Sequence, residues 1–243
     1  MTKIINEITP EYRAKLDQID KDCMAMHVPT PPKTFINMKV HDKDGSLLSD
    51  YSIPSRSWVR NAYNILACQL LVLNNDTVTG GATSYEAGSL KNKDTGGIDR
   101  STSGYTHRLR QSALVVGESE DSGYGIVVGS GDTAESFEHH KLITKIIHGT
   151  GSGQLSYTAQ ASPSPGYNSD NKKWTAENSR IFNNNSGDTV TVKEVGLVAK
   201  IDFGSSTTIS YILLCRDLLV SAVNVPNGGQ LTVTYTIEMT YPA

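Results

Sequence analysis

The most constraining feature of this sequence is the strict alternation of apolar and polar residues over residues 231–240, LTVTYTIEMT. The apolar phase comprises Leu231, Val233, Tyr235, Ile237 and Met239. Threonines and Glu238 occupy the opposite phase. A period of two residues predicts a β-strand with one face toward a core and the other toward solvent.

Short apolar runs upstream predict further strands: SALVV, GYGIVVG, KLITKIIH, QLSYTAQA, TVTVKEVGLVAKI and TISYILLC. The apolar phase reverses at Lys193–Glu194, which predicts a β-bulge, and TISYILLC is apolar on both faces, as in a central strand. Asp44–Gly45 and Asn227–Gly228 predict tight turns between strands. The expected fold is mainly β, an antiparallel β-sandwich of the jelly-roll type.

Composition agrees with this class. The chain has 243 residues, 21 of them Gly, and only 7% are aromatic, which suits a β protein with many turns. A net charge of −3 gives no sign of sequence-specific nucleic-acid binding or of attraction to a membrane surface. No apolar run has the length of a membrane span or of a signal-peptide core, so we expect synthesis in a cytoplasm.

The three cysteines, Cys23, Cys68 and Cys215, are odd in number and widely spaced, without a C-x-x-C pair. This pattern predicts neither a disulfide framework nor a zinc site. Cys68 and Cys215 lie among apolar residues, so we expect them to be buried free thiols.

A first helix is predicted after Thr9, which can cap it, with Pro10 at the first helical position. Its apolar stripe has helical spacing and comprises Tyr12, Leu16, Ile19 and Cys23. The following VPTPPK is expected to be extended, because residues before Pro avoid the α region. Residues 1–33 therefore form either an N-terminal arm or a helix that packs on its own domain, and residues 34–243 form the sandwich domain.

A second, amphipathic helix is predicted over about 56–72, with Ser55 as its cap. Its apolar face comprises Val59, Ala62, Tyr63, Leu66, Ala67, Leu70 and Leu71. Arg56, Arg60 and Asn64 lie on the opposite face, so we expect the helix to pack against a sheet.

Residues of about 74–111 are polar, rich in Gly, Ser and Thr, and without apolar periodicity. They carry Arg100, Arg108 and Arg110 together with Tyr85 and Tyr105. A loop of this length inside a domain is either functional or disordered in isolation. We expect it to become ordered against a neighbouring protein.

One segment, GIVVGSGDTAESFEHHKL over residues 125–142, has the form of a dinucleotide-binding turn. Gly129, Gly131 and Ala134 have the required spacing. An acidic residue should follow about 20 positions on to bind the ribose, but residues 139–169 contain no Asp or Glu. We therefore expect no nucleotide cofactor here, only a loop between two strands with glycines at positive φ.

Other constellations that carry chemistry are weak. Glu138, His139, His140 and His148 are close in sequence, but adjacent strand residues face opposite sides, so we predict no metal site. Asp42, Asp44 and Asp50 resemble a calcium loop without its required pattern, and turn chemistry explains them. No nucleophile motif is present, so no catalytic residue is assigned and the protein is predicted not to be an enzyme.

Several long segments carry a resemblance: GIVVGSGDTAESFEHHKLITKIIHGTGSGQLSY, RIFNNNSGDTVTVKEVGLVAKI and LLCRDLLVSAVNVPNGGQLTVTYTIEM, preceded by MKVHDKDGSLLSDYSIPSRSWVRNAYNIL. Together they resemble a group of virion proteins of tailed bacteriophages. The resemblance rests on the pattern and order of the segments and transfers no catalytic residue.

The resemblance implies a structural component of a phage particle, made in the cytoplasm of the host bacterium and then part of the virion. We expect other virion proteins and further copies of itself as partners, with a neck or tail position favoured over capsid decoration. A receptor- or glycan-binding module of the same particle is the alternative. The scattered positions of Trp58, Trp174 and the tyrosines argue against a glycan site.

Overall fold

A computed structural model of the protein describes residues 2–28, 30–71, 91–101, 115–202 and 209–241. The fold is mainly β, as predicted, and no sheet in the described part of the chain closes into a barrel. The helices are α1 (Pro10–Ala25) and α2 (Arg60–Leu71). The strands are β1 (Lys3–Asn6), β2 (Lys33–His41), β3 (Leu47–Pro54), β4 (Lys91–Lys93), β5 (Asp99–Ser101), β6 (Gly125–Gly129), β7 (Ser156–Tyr157), β8 (Ser164–Asn168), β9 (Lys173–Asn183), β10 (Val190–Asp202), β11 (Ile209–Val225) and β12 (Gln230–Thr240).

The chain divides into two compact units. Unit 1 comprises Met1–Arg56, His148–Thr191 and Val223–Ala243, and unit 2 comprises Ser57–Ile147 and Val192–Ala222. The long strands β10 and β11 each contribute residues to both units. The predicted boundary between an arm (1–33) and a single domain (34–243) does not coincide with this division.

Unit 1 is built on one sheet with the strand order β1-β3-β2-β12-β9-β7, and β8 also pairs with β9. All of these pairings are antiparallel except β1 with β3. The predicted alternation of β12 is confirmed where the strand is central: Leu231, Val233 and Tyr235 are buried. Glu238, in the polar phase, is nevertheless buried, because α1 lies over that part of the sheet and Arg13 pairs with it.

Both predicted turns are present in unit 1. Gly45 and Gly228 have φ values of 80° and 76°, in the left-handed region that only Gly adopts at little cost. Asp42 Oδ1 accepts hydrogen bonds from the backbone N–H groups of Asp44 and Ser46, so this aspartate organises the turn between β2 and β3.

Helix α1 begins as its sequence predicts. The side chain of Thr9 accepts a hydrogen bond from Tyr12 N–H at 3.2 Å, and Pro10 opens the helix. The helix packs on unit 1 through Arg13, whose guanidinium lies 3.9 Å from the centre of the Phe35 ring, and through Asp20, which pairs with Lys33. Of the two alternatives left open by the sequence, these contacts are those of a helix packed on its own domain.

Unit 2 contains a three-stranded sheet with the order β11-β10-β6. The prediction that β11 is central is therefore wrong for this sheet, in which it is the outer strand. Its outer edge is covered instead by residues 57–59: Trp58 bridges to Cys215, and Val59 N–H donates to Leu214 carbonyl oxygen at 3.0 Å. These residues therefore satisfy backbone groups at the outer edge of β11.

Strand β10 pairs with β6 from Glu194 to Val198 without a register shift. The predicted bulge at Lys193–Glu194 is not seen in this pairing. Every residue from Glu194 to Ala199 is buried, so the strand has no solvent-facing phase there. Ala199, Ile201 and Ile212 form a buried hydrophobic cluster in unit 2.

Helix α2 begins at Arg60, four residues later than predicted, and Ser55 does not cap it. Ser55 N–H donates to Thr34 carbonyl oxygen instead, and residues 57–59 lie against β11. The predicted faces are also partly wrong, because Asn64 is buried while Tyr63 and Leu66 are exposed; Asn61, which was assigned to neither face, is buried too.

The asparagines of α2 are buried because they bind backbone. Asn61 Nδ2 donates to Lys93 carbonyl oxygen at 2.9 Å, and Asn61 Oδ1 accepts from Lys93 N–H at 2.9 Å. Asn64 Nδ2 donates to Lys91 carbonyl oxygen at 2.9 Å. The helix thus hydrogen-bonds to β4, a short strand paired with β5 inside the predicted loop 74–111.

Two predicted strands differ from the structure. KLITKIIH (141–148) contains only isolated bridges at Lys145 and His148, and QLSYTAQA shortens to β7. Of SALVV, only Val115 and Val116 lie within the described residues, and neither is in a strand. Arg108, Arg110, Tyr85 and Tyr105 of the predicted loop lie outside them.

The prediction of a buried free thiol is confirmed for Cys215. Cys215 is a buried free thiol, and Cys23 is a half-buried one. The side chain of Cys68 lies outside the described residues.

Candidate functional site

The segment that resembles a dinucleotide-binding turn surrounds a buried carboxylate of the chain itself. A Cβ atom placed on Gly129 would lie 2.6 Å from Thr144 carbonyl oxygen, and one on Gly131 would lie 2.7 Å from Glu194 Oε1. Neither glycine has φ in the left-handed region, so the predicted reason for these glycines is wrong. They are required because Glu194 and residues 143–144 approach the backbone closely.

Glu194 lies on β10 with its side chain fully buried. Its Oε1 accepts hydrogen bonds from Thr144 N–H at 2.8 Å and from Gly131 N–H at 3.2 Å. Its Oε2 accepts one from Ile143 N–H at 3.1 Å. Converging backbone N–H groups form an anion site, and in this protein the anion is Glu194.

Arg216, on β11, completes this centre. Its side chain is also fully buried, and Nε donates to Glu194 Oε2 at 2.6 Å. Nη2 donates to Thr133 carbonyl oxygen at 2.9 Å, and Nη1 lies 3.2 Å from His139 Nδ1. The Glu194–Arg216 centre therefore fixes the irregular segment from Gly131 to Thr144 against two strands.

The sequence analysis missed both residues of this centre. The available signal is a charge inside an apolar strand, Glu194 in VKEVGLV and Arg216 in LLCRDLL. Buried charges of this kind are normally paired, so each could have been assigned an unknown partner of opposite charge.

The histidines that are close in sequence have separate roles. His139 Nδ1 also accepts a hydrogen bond from Ser136 N–H at 3.2 Å, and Glu138 pairs with Arg60. His148 belongs to unit 1, where its Nδ1 accepts from Tyr157 N–H at 3.1 Å. Within the described ranges, no group of three or more His, Cys, Asp or Glu side chains is placed to hold a metal ion.

The pKa values of His139 and His140 are both lowered. Burial lowers the pKa of His139 below its usual value, and the charge of Arg216 lowers it further. Burial also lowers the pKa of His140, together with the charges of Lys93 and Lys141. Both effects favour the neutral imidazole, as expected for a His139 Nδ1 that accepts hydrogen bonds.

Unit 1 brings together three aromatic residues that are far apart in sequence. Tyr167 is the cross-strand partner of Trp174, and its ring centre lies 5.7 Å from that of Tyr241. A shallow cavity of about 330 Å³ adjoins Tyr167. Its lining comprises Gly166, Tyr167, Asn168, Asn171, Lys173 and Thr175. Trp58 belongs to unit 2 and is not part of this cluster.

Unit 2 has a different exposed aromatic feature, which we call the Tyr63–Phe137 surface and define as Arg60, Tyr63, Phe137 and Glu138. The two rings are 5.7 Å apart and about half exposed, at 55% and 49%. The Arg60 guanidinium lies 5.8 Å from the Phe137 ring centre, and Arg60 N–H donates to Phe137 carbonyl oxygen at 2.9 Å.

Neither of the described helices has the length and apolar character needed to cross a bilayer. Comparison of the chain with protein-family models, with curated proteins and with solved structures found no match.

Proposed function

We propose that this chain is a non-enzymatic structural component of a tailed-phage particle, associated with the neck or tail, which assembles with copies of itself and with other virion proteins. The proposal rests on the resemblance of its β segments to virion proteins and on the nature of its exposed residues. As part of it, we propose that the sheets belong to an antiparallel β-sandwich of the jelly-roll type.

The observation that carries the proposal is the Tyr63–Phe137 surface. Aromatic residues and Arg are enriched in protein interfaces, and Lys and Glu are depleted. Here two aromatic rings and Arg60 stand together on the exposed face of α2 and the adjacent loop. The loop is held by the buried Glu194–Arg216 centre, so little conformational entropy would be lost when a partner binds.

The first test is quantitative mass spectrometry of gradient-purified particles of the phage that encodes the chain, scaled to the major capsid protein. We expect the chain at low copy number relative to the capsid protein, as for neck and tail components. A copy number close to that of the capsid protein would mean capsid decoration instead. Absence from the particle would end the proposal.

The second test addresses the surface itself. We expect Phe137→Ser to reduce self-association of the purified chain in sedimentation velocity and to reduce its incorporation into particles. The matched control is Tyr167→Ser, which removes an equally exposed ring from unit 1. Equal effects of the two changes, with both variants folded by circular dichroism, would show that the Tyr63–Phe137 surface is not the interface.

A glycan-binding module is the second candidate, because Tyr167 lines a shallow cavity and lies close to Trp174 and Tyr241. Aromatic faces bind the apolar faces of sugars, and amide and ammonium groups such as those of Asn171 and Lys173 bind hydroxyls. Binding to a glycan array that Trp174→Ala abolishes would favour this candidate. No binding to host-surface polysaccharide would remove it.

A further inference from the structure

Unit 1 contains a buried cluster of charged groups where α1 meets β2 and β12. Lys33 Nζ contacts Asp20 Oδ2, and each side chain is only 7% exposed. Glu238 is the cross-strand partner of Lys33 and is 9% exposed. A buried ion pair is costly unless further hydrogen bonds satisfy its remaining atoms.

The carboxyl group of Asp20 is satisfied on one side only. The Thr240 hydroxyl donates to its Oδ2 at 2.6 Å. Its Oδ1 is buried and has no hydrogen-bond partner in the described part of the chain. Burying an ionised carboxylate with an unpaired oxygen costs much free energy of solvation. Burying a neutral amide at the same place would cost much less.

We propose that Lys33 and Asp20 condense to an intramolecular isopeptide bond that joins β2 to α1. The Nζ–Cγ bond forms and the Cγ–Oδ2 bond breaks. The ammonium and carboxylate together become a secondary amide and one water molecule, because two protons of the ammonium group leave with Oδ2. No oxidant, cofactor or external proton is required.

The surroundings of the pair favour this step. Holding two reacting groups in contact replaces a bimolecular encounter and contributes effective molarities of about 10⁵ M or more. Thr240 donates its hydroxyl hydrogen to the oxygen that leaves. Glu238 is the cross-strand partner of Lys33, and Arg13 and Lys173 hold its carboxylate at 2.8 and 2.5 Å.

The bond would hold α1 permanently on the sheet, which excludes residues 20–33 from acting as a detachable arm. It would also make a covalent ring of residues 20–33, which include the VPTPPK segment. A protein of an extracellular particle benefits from such a lock because it resists unfolding and proteolysis. The inference does not depend on the proposed function, since it follows from the buried cluster alone.

The test is the intact mass of the purified full chain, measured under denaturing conditions and compared with the sequence mass. We expect the protein to be lighter by one water molecule. Trypsin should then yield residues 16–21 joined to residues 22–39 through Asp20 and Lys33, because the modified Lys33 is not cleaved. A wild-type chain at its full sequence mass, both fresh and after prolonged incubation, would overturn the proposal.

Variants separate this bond from other losses of water, such as succinimide formation at Asp44–Gly45. Lys33→Arg keeps the positive charge but cannot form the bond, so this variant should have its full sequence mass. The control is Lys39→Arg, which changes a more exposed lysine that pairs with Asp50. The control protein should still be lighter than its sequence mass by one water molecule. Asp20→Asn should lose ammonia instead of water. If Lys33→Arg does not fold, the cross-linked peptide of the wild-type protein decides the question, and its absence refutes the bond.

Discussion

Each unit contains an ion pair in which both side chains are buried, Asp20–Lys33 in unit 1 and Glu194–Arg216 in unit 2, but the two carboxylates are hydrogen-bonded differently. In unit 2, Glu194 receives three backbone N–H groups in addition to Arg216, and both side chains are fully buried. In unit 1, Asp20 is bound by Lys33 and Thr240, and its Oδ1 has no hydrogen-bond partner among the described residues.

This difference separates a structural centre from a reactive one. Every oxygen of Glu194 is held by fixed donors, so the carboxylate is stabilised as an anion and shapes the backbone around it. Asp20 is bound only at Oδ2 among the described residues, by the Thr240 hydroxyl and by the ammonium group of Lys33. We therefore expect mutation of the Glu194–Arg216 pair to lower the stability of unit 2. Mutation of the Asp20–Lys33 pair is expected to prevent the proposed isopeptide bond.

The largest expected effect is at Glu194. Glu194→Ala leaves Arg216 buried without its partner and frees the N–H groups of Gly131, Ile143 and Thr144. Removing one partner of a buried pair costs about 3–5 kcal/mol, so we expect unit 2 to lose most or all of its stability. The measurement is urea unfolding followed by fluorescence in a Trp174→Phe background, where the remaining Trp58 belongs to unit 2.

The matched control is Asp132→Ala, which removes the ion pair between Asp132 and Lys193. Lys193 precedes Glu194 in the chain, and the Asp132 side chain is 75% exposed. Exposed pairs contribute about 0–1 kcal/mol, so this variant should unfold close to the wild type. A Glu194→Ala protein as stable as Asp132→Ala would contradict the role assigned to the Glu194–Arg216 centre.

A smaller effect is expected at Gly129, where the backbone closely approaches Thr144 and Glu194. Gly129→Ala places a methyl group 2.6 Å from Thr144 carbonyl oxygen, and overpacking of this kind costs about 1–3 kcal/mol. The same unfolding assay measures it. Gly166→Ala is the control, since a Cβ there meets nothing within 4 Å, and equal stabilities of the two variants would refute the close approach.

The next effect concerns the hydrogen bonds between α2 and β4. Asn61→Ala removes both bonds to Lys93, and we expect a loss of about 1 kcal/mol together with faster amide hydrogen exchange at Lys93. The control Asn185→Ala changes an exposed asparagine after β9. Unchanged exchange at Lys93 would show that the helix does not hold this strand.

The sequence predicted those parts of the fold that depend on local pattern. The alternation of β12, the turns at Gly45 and Gly228, and the Thr9 cap of α1 each follow from a few neighbouring residues. The start of α2 could not be predicted in this way, because residues 57–59 bind the edge of β11, which lies far along the chain. The burial of Asn61 depends on β4 in the same manner.

The sequence analysis did not predict the Glu194–Arg216 centre. The G-x-G pattern was interpreted as a loop with glycines at positive φ, whereas these glycines let the backbone approach the side chain of Glu194, more than sixty residues away from Gly131. KLITKIIH was predicted to be a strand because it is rich in β-branched residues, but Glu194 binds the N–H groups of Ile143 and Thr144 that a strand ladder would use. Tertiary hydrogen bonds decided against the local propensity.

The smallest expected effect is a pH dependence of unit 2 through His139. Its Nδ1 accepts from Ser136 and faces Arg216, while Glu194, Glu135 and His140 supply the other nearby charges. Because burial lowers its pKa in the folded state, the unfolded chain binds the proton more readily, and stability rises with pH. The contribution should be complete above the pKa of an unfolded histidine and be lost as the pH falls through the lowered pKa of folded His139.

Unfolding of the Trp174→Phe protein between about pH 8 and pH 5 measures this dependence, since an unperturbed histidine titrates in that interval. His139→Asn, which keeps an acceptor near the Nδ1 position but does not titrate, should make the profile less steep and leave the part that is due to His140. NMR titration of the His139 ring should give a midpoint below that of a free histidine. A midpoint at or above that value would mean that His139 carries its proton beside Arg216, and the Glu194–Arg216 centre would then lack the neutral acceptor that joins it to the loop.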